Sequence, residues 1–247
     1  MPRHESPKTH TWKDGFPLLV SGEVTRCELV PWGSNYTFQV TLRGVDGAEC
    51  QGIYKPRSGE APLWDFPPGT LYKREYAAYL VAEALGWRFI PPTCVRQGPH
   101  GVGSMQLFVE HERNGHYLTL WDRYPEEFKR ICLFDWLANN ADRKAGHCLL
   151  GLDGRIWAID HGLTFNAAPK LRTVIWDFSN QPVPPALLQD VRLLAEGLAS
   201  RGPLVTELEE LLLPDEMAAL KRRLDHILAS PVFPSAPHYH SVPWPPV

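Results

Sequence analysis

Three polar clusters in this chain fall where apolar strands and helices end, and each carries side chains able to do chemistry. Lys55 closes the apolar run Gly52-Ile53-Tyr54-Lys55-Pro56. Glu75 follows in Lys73-Arg74-Glu75-Tyr76, where a helical carboxylate could orient that lysine. The second cluster is Asn139-Asn140-Ala141-Asp142-Arg143-Lys144-Ala145-Gly146-His147. A plain turn needs Gly or Asn, but not Asp, Arg, Lys and His together. The third is Asp160-His161-Gly162, directly after the apolar Ile156-Trp157-Ala158-Ile159. An acid at the end of a buried strand is suited to holding a divalent ion beside phosphate. Singly, each has a plain reading: a lysine stem lying on a strand with its charge in water, or a solvated helix face. Their order is the stronger signal. Lysine on a strand, glutamate on the next helix, a linking strand, an aspartate loop, a hairpin and Asp-x-Gly are the parts of phosphoryl transfer from ATP. In that chemistry lysine holds phosphates and one aspartate orients the acceptor hydroxyl. The second aspartate and the residue five places after the first hold a divalent cation.

The elements that must position these groups follow from pattern. Residues 12–54 are β-rich, including the short apolar run Leu18-Leu19-Val20. Gly22–Leu29 and Tyr36–Leu42 alternate, with Phe38, Val40 and Leu42 on one face. Asp46-Gly47 supplies a hairpin turn into Glu49–Tyr54. Residues 56–69 are a Pro- and Gly-rich loop, and Leu71–Leu85 is a helix ended by Gly86. Strands are expected at Thr93–Arg96 and Ser104–Glu110, around Gly98, Gly101 and Gly103. Pro125-Glu126-Glu127 opens a further helix, with a proline and two acids in its first turn. A hairpin pairs Cys148–Leu150 with Ile156–Ile159, and Pro184–Leu198 and Pro214–Leu228 are amphipathic helices. The expectation is an α+β, two-lobed architecture. It has a β-rich N-lobe with one helix over 12–109, a mainly helical C-lobe over 110–230, and a Pro-rich extended tail over 231–247. That arm would be laid on the surface by Phe233, Tyr239 and Trp244, and its His238 and His240 read as solvated rather than metal-binding.

Composition narrows the classes. The chain has 247 residues, 25 Lys+Arg and 28 Asp+Glu, for a net charge of −3, with 44% hydrophobic and 21% charged residues. This excludes a wholly disordered chain and a globally basic nucleic-acid glove. No run approaches the ~18 apolar residues of a membrane helix, and Met1–Trp12 carries no apolar signal core. A cytoplasmic location is the expectation, without nucleic acid or integral membrane partners; oligomeric state is not readable. The five cysteines, Cys27, Cys50, Cys94, Cys132 and Cys148, form no C-x-x-C pair. Free thiols in a reducing compartment are expected.

With these motifs in view, the chain from Ser21 to Leu228 resembles atypical kinases of the phosphatidylinositol 3- and 4-kinase-like superfamily, especially its small bacterial members. More remotely it is similar to HipA-type kinases. The resemblance rests on Ile53-Tyr54-Lys55-Pro56, Arg74-Glu75, Asn140-Ala141-Asp142-Arg143 through His147, and Asp160-His161-Gly162. It implies a protein-kinase-like fold using ATP with Mg²⁺ or Mn²⁺. Lys55 would bind the phosphates and Glu75 would pair with it. Asp142 would be the catalytic aspartate and Asp160 the main metal ligand. Ser34 and Asn35 would belong to the phosphate-covering loop, which has only Gly33 where ordinary protein kinases are glycine-rich. Gln106, Leu107, Phe108 and Val109 would form the linking strand facing adenine, and Leu149 the apolar floor.

Two positions depart from the family. Lys144 stands where histidine is frequent; it can offset charge on the transferred phosphoryl but is no base unless its pKa falls substantially. His147 stands where the family has asparagine, which points to Mn²⁺ at least as effective as Mg²⁺. The first acceptor expected is a protein Ser or Thr hydroxyl. Lys170 and Arg172, after Asp160-His161-Gly162, are weak support for a lipid headgroup, and a small-molecule hydroxyl is a further alternative. A nucleotide-binding pseudokinase acting as a binding module and an adenylyl transferase also remain open at this stage.

Overall fold

A computed structural model describes residues 12–31, 35–236 and 241–247. Its N-terminal part is a five-stranded antiparallel sheet in the order β1-β2-β3-β5-β4. The strands are β1 (Glu23–Leu29), β2 (Phe38–Arg43), β3 (Glu49–Pro56), β4 (Thr93–Gly98) and β5 (Gly101–Leu107). The Asp46-Gly47 turn forms with Gly47 at φ +80°, a conformation that glycine adopts without a Cβ penalty. Alternation puts Val40 and Leu42 into a small core with Leu19, Tyr54, Cys94 and Met105.

Three features of this half differ from the sequence reading. Residues 12–21 form a helix, α1 (Trp12–Ser21), so the sheet carries two α-helices rather than one. A three-residue apolar run does not distinguish strand from helix, and here Leu19 enters the small core from a helix. The strand expected at Ser104–Glu110 instead spans Gly101–Leu107, because the turn closes tightly at Gly98 and Gly101, which face each other. Gly103 lies inside the strand for a steric reason. A Cβ there would stand 2.4 Å from the Lys55 carbonyl oxygen and 2.7 Å from Pro56 Cα.

The long helix α2 (Leu71–Ala84) crosses behind the sheet and ends at Gly86, φ +71°. It places Ala77, Ala78, Val81 and Ala82 in the larger core, with Phe128, Leu133, Phe134 and Leu137. Those last four lie on α4 (Pro125–Ala138), which follows the short α3 (Tyr117–Leu120). The hairpin β6 (Cys148–Leu150) and β7 (Ile156–Ala158) pairs Leu149 with Trp157. Helices α5 (Pro185–Ala199), α6 (Pro203–Leu211) and α7 (Pro214–Ala229) complete the core. Helix α6 was not anticipated, although Val205 and Leu208 at helical spacing fill its buried face.

The tail is docked rather than merely draped. Phe233 is buried as expected, but Trp244 is 87% exposed and anchors nothing. The anchors are backbone groups. Thr173 N–H and Trp176 Nε1–H donate to the Ser241 carbonyl, and Ala145 N–H donates to the Pro246 carbonyl at 2.8 Å. Tyr239, His238 and His240 lie outside the described residues, as does Ser34. All five cysteines are free thiols.

Candidate active site

Lys55 arrives on β3 opposite Ser104 of β5, and Glu75 comes from the buried face of α2. The two side chains form an ion pair, with Glu75 almost wholly buried. The other Glu75 oxygen accepts the His161 N–H at 2.8 Å. One carboxylate therefore fixes both the lysine and the Asp160-His161-Gly162 turn. Lys55 Nζ also donates to Asp160 Oδ1 at 2.9 Å, across 105 residues of chain. Desolvation alone would lower the lysine pKa, but Asp160 and Glu75 outweigh it and hold the ammonium charged. Lys55 in turn holds the Asp160 carboxyl well below the usual carboxylate range. Burial pushes Glu75 upward against the pull of Lys55.

Asp160 occupies the left-handed region at φ +62°, costly for a residue with a Cβ and least so for Asp or Asn. Its side chain remains 48% exposed, so the groups that turn it outward leave one face to solvent. His147 faces its other oxygen, Nε2 to Oδ2 at 3.4 Å. Burial depresses the His147 pKa to about 4, so the ring is neutral at pH 7. Its Nδ1 accepts the Lys144 N–H at 3.3 Å, which leaves the ring proton on Nε2. A metal at Nε2 requires that proton to move to Nδ1 at the expense of a long, weak hydrogen bond.

Asp142 sits on the loop between α4 and β6. Its N–H donates to Asn140 Oδ1 at 3.0 Å, and Lys144 Nζ lies 3.6 Å from its Oδ2. Desolvation raises the Asp142 pKa, Lys144 and Arg172 oppose the rise, and Asp160 is near enough to add to it. The loop is held from behind by Asp135, which motif reading passed over, and by Arg143, Asn140 and Asn139, which it quoted in the motif without a role. Arg143 and Asp135 are both fully buried and form a forked pair, Nε to Oδ2 and Nη2 to Oδ1, each at 2.9 Å. Arg143 also donates to the Ile159 carbonyl at 2.9 Å and meets His161 Nε2 at 2.7 Å. Asn140 Nδ2 donates to Asp135 as well. Asn139, φ +53°, caps α4 and donates to the Asn166 and Ala168 carbonyls. The available signal was an acid, Asp135, amid the apolar positions of a helix.

The linking segment is more committed than its place in the sequence suggests. Leu107 N–H donates to the Pro92 carbonyl at 2.8 Å and Phe108 N–H to the Gln51 carbonyl at 3.0 Å. The Gln106 amide is spent on Thr93 Oγ1. Among the described residues Val109 N–H has no partner, so it is the donor left in this segment. Leu149 is half-buried on β6. Asn35 Oδ1 accepts the Ala61 N–H at 2.7 Å, which pins that end of its loop to the segment after β3.

Among the described residues no three His, Cys, Asp or Glu side chains gather as a metal cluster. Asp160 and His147 do face one another, and the pair fits a divalent ion that completes its shell on phosphate oxygens and water.

Comparison with known proteins gives the family and the fold. The family described as phosphatidylinositol 3- and 4-kinase matches residues 88–220. Protein Rv2133c of Mycobacterium tuberculosis is 37% identical over 94% of this chain and 95% of its own length. Phosphatidylinositol 4-kinase gamma 4 of Oryza sativa is 34% identical over 36% of this chain and 19% of its own. The Golgi casein kinase solved with Mn/ADP bound is similar in fold, with TM-score 0.54, 15% identity, and coverage of 88% of this chain and 74% of that one. Hydra Fam20, solved with sugar, gives TM-score 0.52 at 13% identity, over 87% of this chain and 86% of that one. Two of these likenesses are of fold alone, but the family match spans more than half of the sequence and the mycobacterial relative nearly all of it. The chain belongs to the phosphatidylinositol 3- and 4-kinase family.

Proposed function

We propose that this protein transfers the γ-phosphate of ATP to a hydroxyl acceptor, first a protein Ser or Thr, its own included. The observation that carries the reading is the meeting of Lys55, Glu75 and Asp160, with Lys55 Nζ 2.9 Å from Asp160 Oδ1. Lys55 is charged and has phosphate-binding capacity in an otherwise acidic corner. Glu75 keeps it from following Asp160 alone. Asp142, raised in pKa by its burial, accepts the proton of the attacking hydroxyl. Lys144 beside it balances charge on the moving phosphoryl. Val109 N–H and Leu149 are suited to the adenine edge and face, and Asn35 is assigned to the phosphates. Mg²⁺ or Mn²⁺ held by Asp160 and His147 would supply charge neutralisation of the phosphates.

The test is incubation with ATP labelled in the γ and then the α position, followed by mass spectrometry of the protein. Label from the γ position on Ser or Thr supports the reading. Label from the α position refutes it in favour of adenylyl transfer. A thermal shift with nucleotide and metal but no label on any acceptor refutes it in favour of a binding module. Asp142→Asn is expected to lower transfer about 10²–10⁴-fold while ATP binding stays near wild type. Full activity in that variant would remove Asp142 from its role.

A further inference from the structure

The turn that carries Asp160 is bracketed by two residues in the left-handed region, Asp160 at φ +62° and Phe165 at φ +61°. Neither is glycine, so both are strained and persist only where the surroundings hold them. Two adjacent residues of α2 supply that hold. Glu75 accepts the His161 N–H at 2.8 Å near one end of the turn. Arg74 Nη1 donates to the Thr164 carbonyl at 2.7 Å near the other. Between them Thr164 Oγ1 donates to the His161 carbonyl at 2.7 Å, so the two grips act on one closed turn. The Leu163 carbonyl accepts the Ala141 N–H at 2.9 Å, which ties the same turn to the loop bearing Asp142.

Arg74 is aimed from the far end of the chain. Its Nη2 donates to Glu216 Oε1 on α7, and its guanidinium lies over the Phe66 ring, 4.9 Å from the centroid. Both members of the ion pair are buried. Glu216 is itself fixed, because its other oxygen accepts the Leu213 N–H at 3.0 Å. Stability alone does not call for this pair. Arg74 Nε is buried without a hydrogen-bond partner, and buried ion pairs are often replaceable by apolar side chains of similar volume without loss of stability. No apolar side chain, however, can donate to the Thr164 carbonyl.

We infer that Arg74 is a positioning residue for Asp160: anchored by Glu216, it holds the far end of the 160–165 turn and so keeps the Asp160 carboxylate turned toward Lys55 and the metal. It is wholly buried and acts through the Thr164 carbonyl. Lys55 is set by the other grip, through Glu75, so the loss of Arg74 falls on the metal-dependent part of nucleotide binding. The inference rests on the reading of Asp160 as a metal ligand.

The test is calorimetric titration of ADP into the full chain, in EDTA and again in saturating Mn²⁺. The ratio of the two dissociation constants measures what the metal adds. Arg74→Met/Glu216→Gln removes both charges together, so that no buried carboxylate is stranded. It is expected to lower the ratio about tenfold or more, as changes behind a metal ligand do, while the constant in EDTA stays within about twofold of wild type. Arg74→Lys keeps a donor for the carbonyl and is expected to give a larger ratio than the double variant. Leu194→Ala, in the core on α5, lowers the urea midpoint through a cavity and is expected to leave the ratio as in wild type. A wild-type ratio in the double variant, an equal loss in Leu194→Ala, no recovery in Arg74→Lys, or ADP binding that Mn²⁺ does not tighten in the wild type would overturn the inference. Absence of γ-phosphate transfer beside the expected ratios would overturn the phosphotransfer reading alone.

Discussion

Asp135→Asn isolates what holds the loop bearing Asp142 in place. The substitution keeps the shape of the side chain and removes its charge. Arg143 then keeps its guanidinium in a fully buried site, with the Ile159 carbonyl and His161 Nε2 as neutral partners. Two of its charge-assisted bonds, at 2.9 Å each, lose their ionic partner. Removing one member of a buried pair costs about 3–5 kcal/mol. In a chain of this size that is roughly 2–4 °C of Tm for each kcal/mol, or about 6–20 °C in all. Arg143→Met alone leaves Asp135 with only the Asn140 amide and is expected to cost a similar amount. The double variant Asp135→Leu/Arg143→Met removes both charges. It is expected to recover part of the loss but not all, because Asn140 Nδ2 and the Ile159 carbonyl stay unsatisfied at about 1–3 kcal/mol each. The assay is a double-mutant cycle of Asp135→Leu, Arg143→Met and the double variant by urea denaturation, with Asp135→Asn beside it and γ-phosphate transfer measured on the same samples. A coupling of several kcal/mol is the expected result. A cost below about 1 kcal/mol for Asp135→Asn, or single effects that simply add, would show that the pair does not hold the loop, and would refute the reasoning.

Stability should fall between about pH 6.5 and pH 4. The folded His147 pKa is depressed to about 4, so its contribution is full above 6.5 and lost as pH drops through the folded value. The slope is up to about 1.4 kcal/mol per pH unit for each such histidine, and His147→Asn should flatten it in urea midpoints measured against pH, leaving the share of the buried, likewise depressed His161. ATP affinity titrated against each ion should be at least as high with Mn²⁺ as with Mg²⁺, and His147→Asn should shift the preference toward Mg²⁺; a clear Mg²⁺ preference in the wild type counts against His147 as a ligand. Gly103→Ala should weaken ATP binding more than it weakens the fold, since its Cβ meets the backbone of Lys55 and Pro56 and must displace the lysine; calorimetry showing wild-type nucleotide affinity would contradict this.

Much of the site was legible because its members are marked locally. Lys55 ends an apolar strand, Asp160 ends another, and Asp142 lies in a loop too polar for a simple turn. Their order along the chain carried the chemistry, and the hairpins and long helices followed from alternation, turn residues and caps. Illegible were the contacts made by residues that local pattern treats as ordinary. Arg74 and Glu216 pair in the interior although 142 residues separate them, and nothing near either announces the other. The committed amides of Gln106, Leu107 and Phe108 depend on which strand lies alongside, a property of register rather than of composition. The anchoring of the tail through the Ser241 and Pro246 carbonyls escaped for the same reason. Reading from side chains favoured Trp244, whereas backbone groups that every residue possesses make the contact.

The Lys55–Glu75 pair shows how a legible motif can carry an illegible role. Tyr54, next to Lys55, belongs to the small core inside the sheet. Ala77 and Ala78, on the same helix as Glu75, belong to the large core shared with α4. The ion pair therefore joins side chains referenced to two different apolar clusters, and its geometry depends on how those clusters sit against each other. Glu75 also accepts the His161 N–H, next to Asp160, and Asp160 accepts from Lys55. These links close a ring from sheet to helix to loop and back to the sheet. Moving either core relative to the other must open the ring at one of its polar contacts, so the placement of Lys55 against Asp160 is sensitive to packing far from any charged group. Val81→Ala, in the large core on α2, is thus expected to weaken any thermal shift that ATP and metal give the wild type, through the ring; an unchanged nucleotide shift in a variant whose urea midpoint has fallen would refute the coupling.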